Sequence, residues 1–276
     1  MKTLFSIILF LILSYFSVSV QSNEATSVES LSFGIVPQQS ASKLARLWNP
    51  ILQNISKQSG INIKFKTAPN IPEFEKRLEK GEYDIAYMNP YHYTVFSKKP
   101  GYIAFAKARD KKIKGILVVK KGSSIKTLED LSNQTIAFPA PSAFAASMLP
   151  RAHLNSSAIP ITPNYVSSHD SVYRTVAKGL FPAGGGVMRT FDNLSPEIRE
   201  QLLILWSTKG YTPHAFAIHP RIDNQILTKI KNSMINLNES DEGRELLQSI
   251  KIKGITTAED KDWDDVRSLK INLLKN

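Results

Sequence analysis

The stretch that decides the fold is residues 31–87, LSFGIVPQQSASKLARLWNPILQNISKQSGINIKFKTAPNIPEFEKRLEKGEYDIAY. Leu31 to Val36 read as a strand. Ser40 to Ser42 can then cap a helix in which Leu44, Leu47, Trp48, Ile51, Leu52 and Ile55 recur at helical spacing. Gly60 ends it. Ile61, Ile63 and Phe65 alternate with polar residues, the period of a half-buried second strand. Pro72 opens a helix to Lys80, Gly81 stops it, and Asp84-Ile-Ala-Tyr87 is a third short strand. Strand, helix, strand, helix, strand at this spacing predicts right-handed βαβ units and a mostly parallel sheet.

The same alternation returns downstream. Gly115 to Val119 is a continuous apolar strand, and Thr127-Leu-Glu-Asp130 is a capping box before a short helix. Thr135 to Phe138 is a strand running into Pro139-Ala-Pro141 and a helix from Ala145. Tyr165-Val166 is followed by a helix from Asp170 to Lys178, then by Gly184-Gly185-Gly186. The triple glycine reads either as a tight turn or as close backbone approach to a ligand. Ser195-Pro196-Glu197 starts a helix with Pro at its first position. Ala215 to Ile218 is a strand, and only helices are expected after it: 222–236, 241–250 and one opened by Trp263.

The expected fold class is therefore α/β with two lobes, each a mostly parallel sheet flanked by helices, and a helical C-terminal tail. Residues 30–114 plus 218–276 would form lobe 1 and 115–217 lobe 2, with crossings near 113–120 and 212–219. Ligands would sit in the cleft, at the sheets' carboxyl ends and helix N-termini.

Upstream, Lys2 precedes an apolar run from Leu4 to Val20, and Val20-Gln21-Ser22 is an acceptable cleavage site. This predicts an export signal over 1–22 and a mature start near Asn23. The alternative is an uncleaved anchor, for which a run of about 17 residues is at the lower edge of spanning length. The chain has 276 residues and is 42% hydrophobic, enough for one large or two medium domains and too apolar for disorder. Cys is absent, which excludes disulfides, thiolate metal sites, a cysteine nucleophile and a lipoprotein anchor. The formal charge of +11 admits nucleic acid, an anionic membrane surface or small anions. Export points away from nucleic acid, leaving a periplasmic address without a lipid anchor. Cleavage would remove only the charge of Lys2.

No H-E-x-x-H, P-loop, G-x-S-x-G or G-x-G-x-x-G occurs, and the five His are scattered. No metal, cofactor or catalytic residue is expected. Three segments read as cleft material. Pro37-Gln38-Gln39-Ser40 joins a strand to a helix whose N–H groups can face an anion. Tyr87-Met-Asn89-Pro-Tyr91-His92-Tyr93 packs three tyrosines, Asn and His into one junction, with Tyr87 read as core. In Ser167-Ser168-His169-Asp170, Asp170 can cap a helix and His169 can supply charge near pH 7 when protonated.

Phe33-Gly-Ile-Val-Pro37, Trp48-Asn-Pro50, Gly81-x-x-Asp84-Ile-Ala86, the Pro141 loop with Pro150 downstream, and Ser168-His169-Asp170 occur in an order that resembles the phosphate/phosphite/phosphonate ABC-transporter substrate-binding protein family. The resemblance covers most of residues 30–270. It implies a type II periplasmic-binding fold, hinge closure around one small ligand, delivery to a permease, and no enzymatic activity. Phosphonate-binding members carry a Ser/Thr-rich loop where this chain has Ala143-Phe144-Ala145-Ala146, so only Ser142 keeps a hydroxyl. Each charge-assisted hydrogen bond lost there would cost roughly 1.5–3 kcal/mol. An Asp that would pair with a ligand amine is replaced in Phe181-Pro182-Ala183-Gly184, and an aromatic position after the second strand is Ile71. His169 matches. The expected ligand-binding set is Gln39, Asn89 and Tyr93 from one lobe with Ser142, Phe144 and His169 from the other. A monomer is expected, with a small, anionic or more apolar ligand and an ABC permease as partner. The alternatives are a partner of a membrane sensor kinase and, using His169 with Asp170, an enzyme.

Overall fold

The computed structural model describes residues 30–274, so the expected signal over 1–22 lies outside the described residues. β1 (Leu31–Ile35), α1 (Ala41–Ser59), β2 (Ile63–Lys66), α2 (Ile71–Glu79) and β3 (Ile85–Met88) follow the order expected from the sequence. The Ser40 hydroxyl accepts the Lys43 N–H at the start of α1, and Gly60 closes the helix at φ 71°, where glycine meets no steric penalty. Leu44, Trp48, Ile51, Leu52 and Ile55 form its buried stripe. β1 lies parallel between β2 and β3, with Phe33 beside Phe65 and Ile85.

After α3 (Pro90–Phe96) and β4 (Ile103–Ala108) the chain enters a second sheet. There β5 (Gly115–Lys120) and β6 (Thr135–Phe138) are followed by a π turn over Phe144–Met148 that continues into α4 (Leu149–Ser156). β7 (Thr162–Tyr165), α5 (His169–Ala177), β8 (Ala183–Val187), α6 (Met188–Asp192), α7 (Pro196–Arg199) and β9 (Leu202–Ser207) complete it. The chain returns through β10 (Ala215–Ile218), α8 (Asn224–Asn236), α9 (Asp241–Ser249), β11 (Ile255–Thr257) and α10 (Asp264–Arg267). The strand orders are β11-β4-β10-β3-β1-β2 and β7-β6-β8-β5-β9. Ile113 and Tyr211, one on each crossing segment, pair by two backbone hydrogen bonds of 2.7 and 3.0 Å.

Three findings refine the expectations. Both sheets are mixed: β2-β1-β3 and β7-β6-β8 are parallel, whereas β10, β4, β11, β5 and β9 join antiparallel. The tail is not wholly helical, because Ile255–Thr257 adds an edge strand held by Asn238, whose side chain bonds both Ile255 N and O at 2.8 Å. Finally, Gly184-Gly185-Gly186 is neither a turn nor a ligand approach but the middle of β8. A Cβ on Gly185 would lie 2.0 Å from the Ala146 carbonyl oxygen, and one on Gly186 would strike the Tyr173 phenol. Absent side chains let the π turn and α5 press onto opposite faces of the sheet.

Two clusters, around Val118 and Phe138, fill the faces of the second sheet. The core of the first sheet extends across the crossing to Ala143, Phe144, Ala145, Ala146 and Val187 of the other. Among the described residues no helix is long and apolar enough to cross a membrane.

Asp84 staples the first sheet at the amino end of β3, beside Ser32 of β1. It accepts Ser32 N–H and hydroxyl at 2.8 and 2.7 Å and Arg221 Nη2 at 2.6 Å. Burial pushes its carboxyl up, but the Ser32 and Arg221 bonds outweigh this and hold it below the ordinary value. A depressed carboxylate stabilises the fold above its unfolded pKa and loses that contribution as pH falls through the folded value. Asp84→Asn is therefore expected to lower stability by about 1–3 kcal/mol at pH 7 and by less near pH 3, read by urea unfolding. Equal losses at both pH values would remove the charge from the explanation.

Candidate functional site

The loops at the carboxyl ends of β1, β3, β6, β7 and β8 meet across the two sheets. His169 N–H donates to Gln38 O at 3.1 Å, Asn89 Nδ2 donates to Ser142 O at 3.3 Å, and Lys43 Nζ donates to Asn193 O at 2.9 Å. The Arg189 guanidinium donates to Gln38 Oε1, and the Ser142 hydroxyl donates to Glu75 Oε1. Between these bonds lies a cavity of about 10 Å³ edged by Val36, Gln38, Asn89, Phe144, His169 and His214. That is no more than one water's space. Phe144 is buried there, its ring edge-on to Tyr211 at 5.5 Å, so an aromatic side chain takes up volume beside the loop that lacks hydroxyls.

Asn89 serves as the N-cap of α3, accepting His92 N–H at 2.7 Å. His92 Nε2 lies 2.9 Å from Glu75 Oε1, the oxygen that also takes the Ser142 proton. His92 Nε2 also lies 3.0 Å from Asn89 Nδ2, and His92 Nδ1 has no partner among the described residues. Glu75 thereby joins α2 of the first sheet to the Ser142 loop of the second.

His169 does not supply charge near pH 7 as expected from the sequence. It is buried at the start of α5, and burial followed by the Arg189 charge pushes its pKa down to about 3. Thr190 Oγ1, which donates to Val187 O at 3.0 Å, lies 3.3 Å from His169 Nδ1. The consistent tautomer carries the proton on Nδ1, leaving Nε2 an acceptor for a ligand hydroxyl. Burial, then Arg189, also holds His214 well below its ordinary value; its ring stacks on Tyr87 at 4.8 Å and its Nε2 has no partner among the described residues.

A second cavity, of about 120 Å³, lies against the crossing segments. Tyr87, Lys111, Val187, Arg189, Asp192 and His214 line it, with Lys112 and Lys114 at its edge. Lys111 is half-buried; burial, then Arg189, pull its pKa down to about 8, against the pull of Asp192.

Of the six residues expected from sequence, Asn89, Phe144 and His169 edge the small cavity, and Ser142 stands behind it on Glu75. Gln39 is buried with Nε2 unpartnered among the described residues, while its neighbour Gln38 makes the bridging bonds. Tyr93 turns to the C-terminal segment: its hydroxyl donates to Asp260 at 2.7 Å and its ring packs on Trp263. Gln38 lies in a segment read as cleft material, whereas Lys111, Arg189 and His214 were not expected at the site. Each sits in a different segment, so only folding brings them together.

Two α/β lobes whose strand ends meet around one cleft, with the chain crossing twice between them, define the class: a two-lobed binding protein. Residues 33–263 match the family described as ABC transporter, phosphonate, periplasmic substrate-binding protein, and the chain belongs to that family. It is thus a solute-capturing component of an ABC importer, working with a membrane permease, and not an enzyme. It is 23% identical over 289 residues to the "Probable ABC transporter phosphite binding protein PhnD1" of Prochlorococcus marinus (strain MIT 9301), with 96% of each chain covered. Its fold is similar to a binding protein component of an ABC phosphonate transporter from Pseudomonas aeruginosa: TM-score 0.81, 18% identity, 87% of this chain and 85% of that one. It is also similar to PhnD1 from Prochlorococcus marinus (MIT 9301) in complex with methylphosphonate: TM-score 0.79, 19% identity, covering 87% and 96%.

Proposed function

We propose that this chain captures a small oxyanion of the phosphite or phosphonate type, or a more apolar analogue, by closure of its two lobes. The observation that carries this reading is the convergence of Arg189, Lys111 and two neutral histidines on the strand ends where the sheets meet. The relatives named for phosphite and the methylphosphonate complex support the ligand class. Residues 30–114 with 218–276 act as one lobe and 115–217 as the other, and the pairing of Ile113 with Tyr211 supports a hinge at the crossings. Asn89, Phe144 and His169 edge the cleft beside the ligand, Ser142 and Gln39 stand behind them, and Tyr93 steadies the lobe that carries Asn89. The chain works as a monomer in the periplasm, released by cleavage of the segment 1–22 and without a lipid anchor.

Titration calorimetry of the chain from Asn23 with phosphite, phosphate and methylphosphonate tests this. One-to-one binding of at least one of them, with a negative heat-capacity change from burial in the cleft, is expected. No heat and no thermal shift with any oxyanion would overturn the ligand class.

A further inference from the structure

We infer that the anion's seat in this chain is the cavity at the crossing segments, with the Arg189 guanidinium, the Lys111 ammonium and His214 Nε2 as its donors, and that it takes a small oxyanion bearing a short apolar substituent. The inference rests on the reading that the chain binds a small anion, and moves the charged end away from the loop at Ala143–Ala146.

Four observations meet there. The loop presents no hydroxyl beyond Ser142, whose proton goes to Glu75, and Phe144 reduces the space beside it to about 10 Å³. The neighbouring cavity, of about 120 Å³, has room for an oxyanion and a methyl or ethyl group. Arg189 makes no ion pair among the described residues; its acceptor is the neutral Gln38 amide, so its charge stays uncompensated. His214 Nε2 is buried with no partner among the described residues, and a buried polar atom is costly to leave unpaired unless a ligand takes it.

The opposing charge is accounted for. Asp192 lies on the same wall but is 3.8 Å from Arg199. Lys111 donates to Lys251 O, with the cations of Lys251 and Lys253 near it, so the field on its ammonium is positive. Tyr87, Ile113, Val187 and Pro213 supply an apolar wall for a substituent. The Arg189 Cζ lies over the Tyr87 ring, 5.7 Å from its centroid, and a guanidinium offers paired N–H groups for a bidentate oxyanion contact.

The test is calorimetric titration of the mature chain and its variants with methylphosphonate and phosphite. Arg189→Gln is expected to weaken binding by roughly tenfold or more, and Lys111→Met by several-fold. Wild-type affinity should fall as pH rises above 8, where Lys111 loses its proton, and Lys111→Met should flatten that fall. Gln38→Ala removes the same inter-lobe bond but keeps the guanidinium, so its loss should be much smaller. If Gln38→Ala weakens binding as much as Arg189→Gln, the arginine serves closure alone and the inference falls. It also falls if wild type binds an anion and Arg189→Gln binds it equally well. A wild type that binds neither anion overturns both the inference and the reading beneath it.

Discussion

Between pH 7 and pH 5 the folded protein is expected to lose about 2 kcal/mol of stability through His169, with a further loss in the same direction through His214. Burial first, and Arg189 second, hold His169 at a pKa of about 3 and His214 well below its ordinary value. An unfolded chain takes up protons on both side chains near pH 6.5, while the folded chain does not, so stability is full above that pH and falls below it. Each group contributes about 1.4 kcal/mol per pH unit once below the unfolded pKa. Asp84 does not blur the effect, since its depressed carboxyl stays ionised throughout this range. Urea unfolding at the two pH values reads the difference. His169→Gln should remove about 2 kcal/mol of it and His214→Gln should reduce the remainder, whatever they do to stability at pH 7. A midpoint that stays level between pH 7 and pH 5 would mean these imidazoles take up protons in the folded state.

Gly185→Ala is expected to destabilise the protein by about 3 kcal/mol or more, because the added methyl has nowhere to go. It would sit 2.0 Å from the Ala146 carbonyl oxygen and 2.5 Å from the Phe138 ring. The obstacle is backbone of the π turn, which cannot swing aside as a long side chain can. Gly115→Ala meets the Ala145 carbonyl oxygen at 1.8 Å and should behave alike. In a chain of this size such a loss lowers the melting temperature by roughly 6–12 °C. The same clash displaces the loop that carries Phe144 and Ser142, so any folded Gly185→Ala protein should also bind anions more weakly. A melting temperature within a degree of wild type would show that the π turn packs less tightly against β8.

The first three strands and two helices were legible because their apolar periods are strict and their ends are marked by Ser40, Gly60 and Gly81. Where the signal was faint, elements were missed. Ile103–Ala108 is half alanine, Leu202–Ser207 does not alternate, and Ile255–Thr257 is too short to show a period. The triple glycine was misread because nothing local announces a strand without side chains; the reason lies in the π turn and α5 packed on either face. Asn89 and His169 were readable as residues at strand-to-helix junctions. Their electrostatics were not, since His169 is kept neutral by burial in the folded chain and then by the charge of Arg189, a residue beyond β8. Lys111 and His214 flank the two crossings, and no spacing in the chain reveals that the crossings lie side by side.

The account turns on where an anion sits when the lobes close over it. A crystal structure of the chain grown with methylphosphonate tests that directly. The prediction is phosphonate oxygens within hydrogen-bond distance of Arg189, Lys111 and His214, with the methyl group against Tyr87 and Val187. Phosphonate held instead by the backbone of Ala143–Ala146 with Phe144 swung out, or found only on the outer surface, would contradict it.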